Sequence, residues 1–398
     1  MTRAGTSSSA GTTDPARRSG PVLQWGVPWL LAVLCGCGPE NLFAPWEGGA
    51  GPAWVQAGGS PDGLHAAFEG PEPPLSLVWR QAVGGAPLGG PLIAGPLVLQ
   101  LTRRTDALAF DLATGTRVGR RRLDRPLCAA AALAGGRGQL LLMAMTGRGA
   151  GLHAVHRASG ETAWRRPGEV CAPPAVAGGQ VYSAVESGRL EALSPDRGGL
   201  LWEIDLPGRL LSAASLGGGA VYVGDSTGEL VAASTDGGRV LWRRSLGAAI
   251  STRPAIDAGA GRLWVATADG SVHALGAEDG STLWTARVNG LPAEGLSRGA
   301  GVIALGSSDQ ALYAFDPESG GQRWRFETGG VVRAPAVSTA QTLYLGSGGS
   351  LLHAVGGDGG VVRWRYALDG PVLTSVAVSG RLLAVTSETG TLYLFRGR

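Results

Sequence analysis

Between Gly217 and Leu246, apolar runs of strand length alternate with short polar clusters. Ala220–Gly224 and Glu229–Ala233 are two such runs, and Arg239–Leu246 is a third that carries Trp242. DSTG and STDGG separate them. Such clusters turn a chain sharply, because Gly accepts positive φ and Asp or Ser bonds its own backbone. The pattern predicts three strands joined by hairpins. A unit this small cannot bury both of its faces and needs neighbours built alike.

Those neighbours are marked by tryptophan. Trp164, Trp202, Trp242, Trp284, Trp324 and Trp364 each follow a glycine four residues earlier, at Gly160, Gly198, Gly238, Gly280, Gly320 and Gly360. Gly115 keeps the phase, with Gly119 where the Trp would stand, and Trp79 opens the series behind Leu75. Along positions 79, 119, 164, 202, 242, 284, 324 and 364 the intervals are 40, 45, 38, 40, 42, 40 and 40. A period near forty with strand-length runs predicts four-stranded propeller blades, and eight marks predict eight blades. Helical repeats of similar length are disfavoured by the short runs bounded by Gly and Asp.

The two ends of the series complement each other. After Trp364 come PVLTSVAVSG, RLLAVTSE and TGTLYLFRGR, three strands without a fourth, while LSLVWRQAV near residue 75 is a Trp strand without its three predecessors. The expectation is an all-β, eight-bladed propeller of antiparallel blades over residues 75–398, closed by pairing the N-terminal strand with the C-terminal three. Closure of this kind leaves no bare sheet edge at the seam.

Composition adds little to the fold and limits the function. The chain has 67 Gly in 398 residues, well above the usual share, but the glycines recur in phase with the strands and so read as turns. A formal charge of +3 gives no nucleic-acid footprint. All 34 basic residues are Arg.

Residues 1–37 read as a leader outside the fold. A polar stretch with Arg17 and Arg18 precedes the apolar run Val22–Leu34, which is too short to span a bilayer and ends in Leu34-Cys35-Gly36-Cys37. This resembles a bacterial lipoprotein signal, with Cys37 as the lipidated residue and Gly38 after it pointing to the outer membrane. It departs from that pattern at Cys35 and in the length of the leader. An ordinary cleaved secretory signal is the plainer alternative. Residues 38–74 are rich in Gly and Pro, with Trp46, Trp54 and Phe68 among them, and read as an extended tether.

VYVGDSTGELVAASTDGGRVLW, LWVATADGSVHALGAEDGSTLW and LYLGSGGSLLHAVGGDGGVVRW resemble the PQQ-like propeller repeat over roughly residues 76–398. The resemblance implies that Trp79, Trp164, Trp202, Trp242, Trp284, Trp324 and Trp364 sit on the outermost strands and dock against the adjoining blade. An Arg after the Trp, at positions 80, 165, 243, 325 and 365, guards that edge strand against pairing with other molecules. Quinone-dependent dehydrogenases of this repeat family add residues around the funnel, a calcium site and commonly two adjacent cysteines. Here the blades are of minimal length, and no adjacent cysteine pair or converging Glu-Asn-Asp set is present. The expectation is no catalytic residue, no cofactor site and no metal site.

Four groups of residues remain. Asp225, Asp269 and Asp309 occupy equivalent turns, and His153, His273 and His353 share one repeat position in different blades, too dispersed for one metal. Cys128 and Cys171 align at the inner strands of consecutive blades, as a disulfide or as two buried thiols. The departures from the repeat gather at Arg103-Arg104, Gly119, Arg120-Arg121-Arg122, Met143 and Met145. The Arg120–Arg122 run is either a partner patch for carboxylates or lipid headgroups, or a solvated edge strand. The methionines read as core filler.

The lipobox, the eight blades and the lack of insertions resemble the BamB family of outer-membrane barrel-assembly lipoproteins. This implies a non-catalytic, lipid-anchored scaffold that binds envelope or outer-membrane proteins. A small quinone- or ligand-binding enzyme and a surface sensor or adhesion module are the alternatives.

Overall fold

The computed structural model describes residues 53–67, 69–135 and 139–398; the leader and Cys37 lie outside them. Among the described residues there is no helix, and the strands form eight antiparallel sheets. The first blade comprises Leu92–Ala94, Leu97–Leu101, Asp106–Asp111 and Arg117–Arg122. The six that follow repeat this order, from a short inner strand to an exposed outer one. The eighth combines Ala377–Ser379, Leu382–Thr386 and Thr391–Arg396 with Ser76–Ala82, which pairs from Ser76 opposite Arg396 to Ala82 opposite Thr391. The ring closes as the two incomplete ends predicted.

Each outer strand slips register next to its Trp position. A bulge of this kind inserts one residue and re-aims the following side chain. Across the sheet from six of the indoles stands an alanine: Ala154, Ala192, Ala232, Ala274, Ala314 and Ala354. A methyl group leaves room for the ring to lie flat toward the next blade.

The phase between glycine and tryptophan has a specific cause. The indole of one blade covers the turn glycine of the next, so Trp202 lies on Gly238 and Trp284 on Gly320. A Cβ on Gly320 would stand 2.6 Å from the Trp284 ring, and the residue has φ +72°, a conformation that favours glycine. The indole N–H then donates to the carbonyl three residues before that glycine. The pairs are Trp79 to Leu112 (3.0 Å), Trp164 to Pro195 (2.6 Å), Trp202 to Thr235 (3.1 Å), Trp242 to Ala277 (3.0 Å), Trp284 to Pro317 (3.0 Å) and Trp324 to Gly357 (2.8 Å). Trp364 faces the eighth blade, whose last two strands belong to opposite ends of the chain, so no turn carbonyl awaits it. It packs edge-on to Phe395 instead (5.5 Å between centroids).

The segment expected to be an extended tether behaves otherwise over its described part. Ala53–Trp54 adds a fifth strand to the first blade, opposite Ala94 and Ile93, and Trp54 is buried. From there the chain runs around the inner strands. The carbonyl of Val55 accepts from Leu133 N in blade two, and the Gln56 amide brackets the backbone of Val176 in blade three. Pro61, Asp62, Leu64 and His65 carbonyls accept from Leu216, Ile256, Arg298 and Ser338 in blades four to seven, each at 2.9 Å. The physical reason is that every inner strand presents an unpaired edge toward the axis, and buried backbone groups seek partners. We refer to residues 53–67 as the strap.

Candidate functional site

The strap forms part of the lining of a central funnel of about 930 Å³. Its walls come from the segment just before each inner strand and from the strap residues Trp54, Gln56, Ala57, Gly58 and His65. The wall surface is small and mostly apolar. At Gly90 the approach of the eighth blade is so close that a Cβ would stand 2.2 Å from the Ser375 carbonyl.

Arg253, from blade five, holds the strap in place. Its Nε donates to Ser215 Oγ (3.0 Å), Nη1 to Ala57 O (2.6 Å), and Nη2 to Pro61 O (2.9 Å) and Ser60 O (3.4 Å). Burial pulls its pKa down to about 10, with Asp62 acting the other way, so it stays charged at neutral pH. Beside it His65 is only 4% exposed. Burial first, and then the Arg253 charge, hold its pKa at about 3, so the imidazole is neutral. Its Nδ1 has no hydrogen-bond partner.

His65 has a measurable consequence. Its native pKa lies below the unfolded value, so the unfolded chain binds the extra proton. Stability is full above about pH 6.5 and falls as pH drops toward the native pKa, at about 1 kcal/mol per pH unit. Burial depresses His153, His273 and His353 in the same direction. The check is the denaturant midpoint between pH 6 and 4.5, where most carboxylates stay ionised. His65→Gln should flatten that slope, and an unchanged slope contradicts the assignment.

The sequence-derived candidates fall in several places. Cys128 and Cys171 line the funnel and are joined by a disulfide, with Cα atoms 5.0 Å apart, linking blades two and three. The same joint carries a buried carboxylate: Glu191, with its side chain 1% exposed, accepts two bonds from Arg166 (3.0 and 2.9 Å) and sits 3.1 Å from Arg189 Nε. Serine at both Cys128 and Cys171 would open a cross-link spanning 43 residues. The expected loss is about 2–4 kcal/mol. Denaturation of the double variant and of the wild type, each with and without reductant, checks it. Equal midpoints throughout would sink this account.

Strand alternation divides the Arg120–Arg122 run. Arg120 pairs with Asp106 at 3.0 Å, Arg121 reaches over Gly160 of blade two where the missing indole would lie, and Arg122 faces solvent. Met143 and Met145 are buried in the apolar cluster of blades one and two. Asp225 is fully buried and accepts from Gly208, Thr227 and Glu229 N–H groups (2.8, 2.8 and 2.9 Å), which gives it a turn-forming task. The histidines stay apart, with His153 Nε2 at 3.2 Å from Gly149 O and His353 edge-on to Phe326. Sequence reasoning missed His65 and Arg253. Neither lies on a repeat mark, so no spacing in the chain signals them.

The funnel wall offers one carboxylate, Glu294, and no group of three His, Cys, Asp or Glu able to hold a metal occurs among the described residues. Calcium takes about six to eight oxygen ligands. The cysteines are bridged between blades and are not neighbours in sequence. This donor set does not fit a calcium-bound quinone.

Solved structures share the architecture. BamB from Moraxella catarrhalis aligns with TM-score 0.68 and 16% identity, covering 81% of this chain and 99% of that one. Quinohemoprotein alcohol dehydrogenase from Comamonas testosteroni gives 0.71 and 13%, covering 87% and 81%. A europium-containing methanol dehydrogenase gives 0.73 and 12%, covering 87% and 98%. At such identities the likeness is one of fold. No curated protein matches the sequence. Residues 103–203, 186–312 and 308–397 match the family described as outer membrane protein assembly factor BamB, and with nearly the whole ring covered, the chain belongs to that family.

Proposed function

We propose that the protein is a non-catalytic scaffold of the cell envelope, anchored through a lipidated Cys37, that binds protein partners during outer-membrane protein assembly. The observation that carries the reading is the funnel mouth. Leu291 (64% exposed), Leu211 and Val331 stand out from the loops around it, with Arg103 and Arg333 beside them. Large apolar side chains exposed together and interleaved with Arg have the composition of a docking face. The family match supplies the process, and blades of minimal length are consistent with binding without chemistry.

The test is genetic and biochemical together. Loss of the gene should lower folded outer-membrane barrels. Wild type should restore them, and Leu291→Glu with Val331→Glu should fail to do so while keeping the wild-type melting temperature. Cys37→Ala should move the protein from membrane to soluble fractions. Unchanged barrel levels in the deletion would refute the assembly role. Oxidation of an alcohol dependent on added quinone and calcium would favour the enzymatic alternative.

A further inference from the structure

The funnel that the strap helps to line joins an apolar wall to a few charged groups. Its volume, about 930 Å³, falls within the range of about 300–1,000 Å³ typical of small-molecule sites. Ala129, Ala130, Pro173, Ala213 and Val332 make the walls apolar. Two polar side-chain atoms behind that surface, His65 Nδ1 and Thr374 Oγ1, have no hydrogen-bond partner and are themselves buried. The one deeper cation, Arg253, has its guanidinium committed to strap carbonyls and Ser215.

Charge is concentrated at the mouth. Arg333 and Arg103 both act on Glu294, holding down a carboxyl that burial pushes up. Neither the Glu294 carboxylate nor the Arg333 guanidinium makes a side-chain hydrogen bond or an ion pair with another described residue, and Arg103 reaches Glu388 at 3.8 Å. The two guanidiniums thus face two carboxylates, Glu294 and Glu388, and Arg333 is the cation whose guanidinium has no ion pair among the described residues. A guanidinium offers a fixed fork of donors that matches a carboxylate.

We propose that the funnel binds a small amphipathic carboxylate, with its apolar body against the Ala and Pro walls and its head group on Arg333. Burying the body removes apolar surface from water, which is the main driving force. The site shares Arg333 with the proposed docking face, so the two readings are told apart by their readouts: ligand binding to the purified chain for this one, barrel levels in cells for the other.

Calorimetric titration of the purified full chain with dodecanoate tests it, together with anilinonaphthalene sulfonate as a competing amphipathic anion. The expected result is one site per chain, shared by the two probes. Arg333→Glu should weaken both at least tenfold. Ser251→Trp, which fills the funnel from an exposed wall position, should abolish both at an unchanged melting temperature. Multiple weak sites, undiminished binding to Ser251→Trp, or no binding to the wild type would each overturn the proposal. So would uptake of a quinone with calcium and no uptake of dodecanoate.

Discussion

Replacing Arg253 by methionine is expected to cost about 3–5 kcal/mol, the range for breaking a buried charged network by removing one partner. The guanidinium fills four roles at once: it bonds Ala57, Ser60 and Pro61 carbonyls and the Ser215 hydroxyl, within a site closed to water. Methionine preserves most of the volume and leaves the Ala57 and Ser60 carbonyls without a donor, each at about 1–3 kcal/mol before relaxation, while Pro61 keeps the Leu216 N–H. Relaxation means release of the strap, which gives a second readout. Limited proteolysis should cut within residues 53–67 in the variant and spare them in the wild type. Lysine should rescue little, since one ammonium cannot span the same acceptors. A variant with the wild-type denaturation midpoint and the same protease resistance would show that the strap does not depend on Arg253.

The second large effect lies at the blade joints. Trp284→Ala should destabilise the ring by about 3–5 kcal/mol, as expected for truncating a buried indole. Beyond the lost packing on Gly320, the Pro317 carbonyl loses the shorter of its two hydrogen bonds and keeps Arg262 Nη1 at 3.3 Å. Trp364→Ala is the internal control. That ring is half-buried, donates no hydrogen bond and faces a blade without the turn glycine, so its loss should cost distinctly less. Chemical denaturation of the two variants in parallel decides the matter. Equal losses would mean that the indole acts by bulk alone and that the carbonyl contact contributes nothing measurable.

Why the ring was legible and the strap was not follows from how each is specified. A blade joint is written twice in the chain, once as Trp and once as the glycine about 36 residues later that receives it, so its period survives variation elsewhere. The bulge at each Trp left no signal of its own, because it is a backbone event accommodated by the alanine opposite. The strap has no repeat partner. It binds through its own carbonyls to backbone edges, and nearly any side chains allow that. Its Gly58, Gly59 and Gly63 read as flexibility, yet each has positive φ in a tightly packed bend. Arg253 was hidden for a related reason: the corresponding places in other blades hold unremarkable residues, and a guanidinium needed there answers to a segment nearly 200 positions away. The Arg120–Arg122 run shows how strand alternation divides a charge run: Arg120 and Arg122 stay exposed on one side while Arg121 turns to the next blade.

The strap also decides how tension reaches the ring. A pull from upstream arrives at Ala53 and would have to peel one blade contact after another, beginning at the first blade, before Ser76 felt it. The attachment behaves as a row of weak fasteners with one strong rivet at Arg253, so a short tug frays its outer end and leaves the seam between the first and eighth blades unloaded. A ring moored in this way can be jostled by its surroundings without being unwound from the strand that closes it.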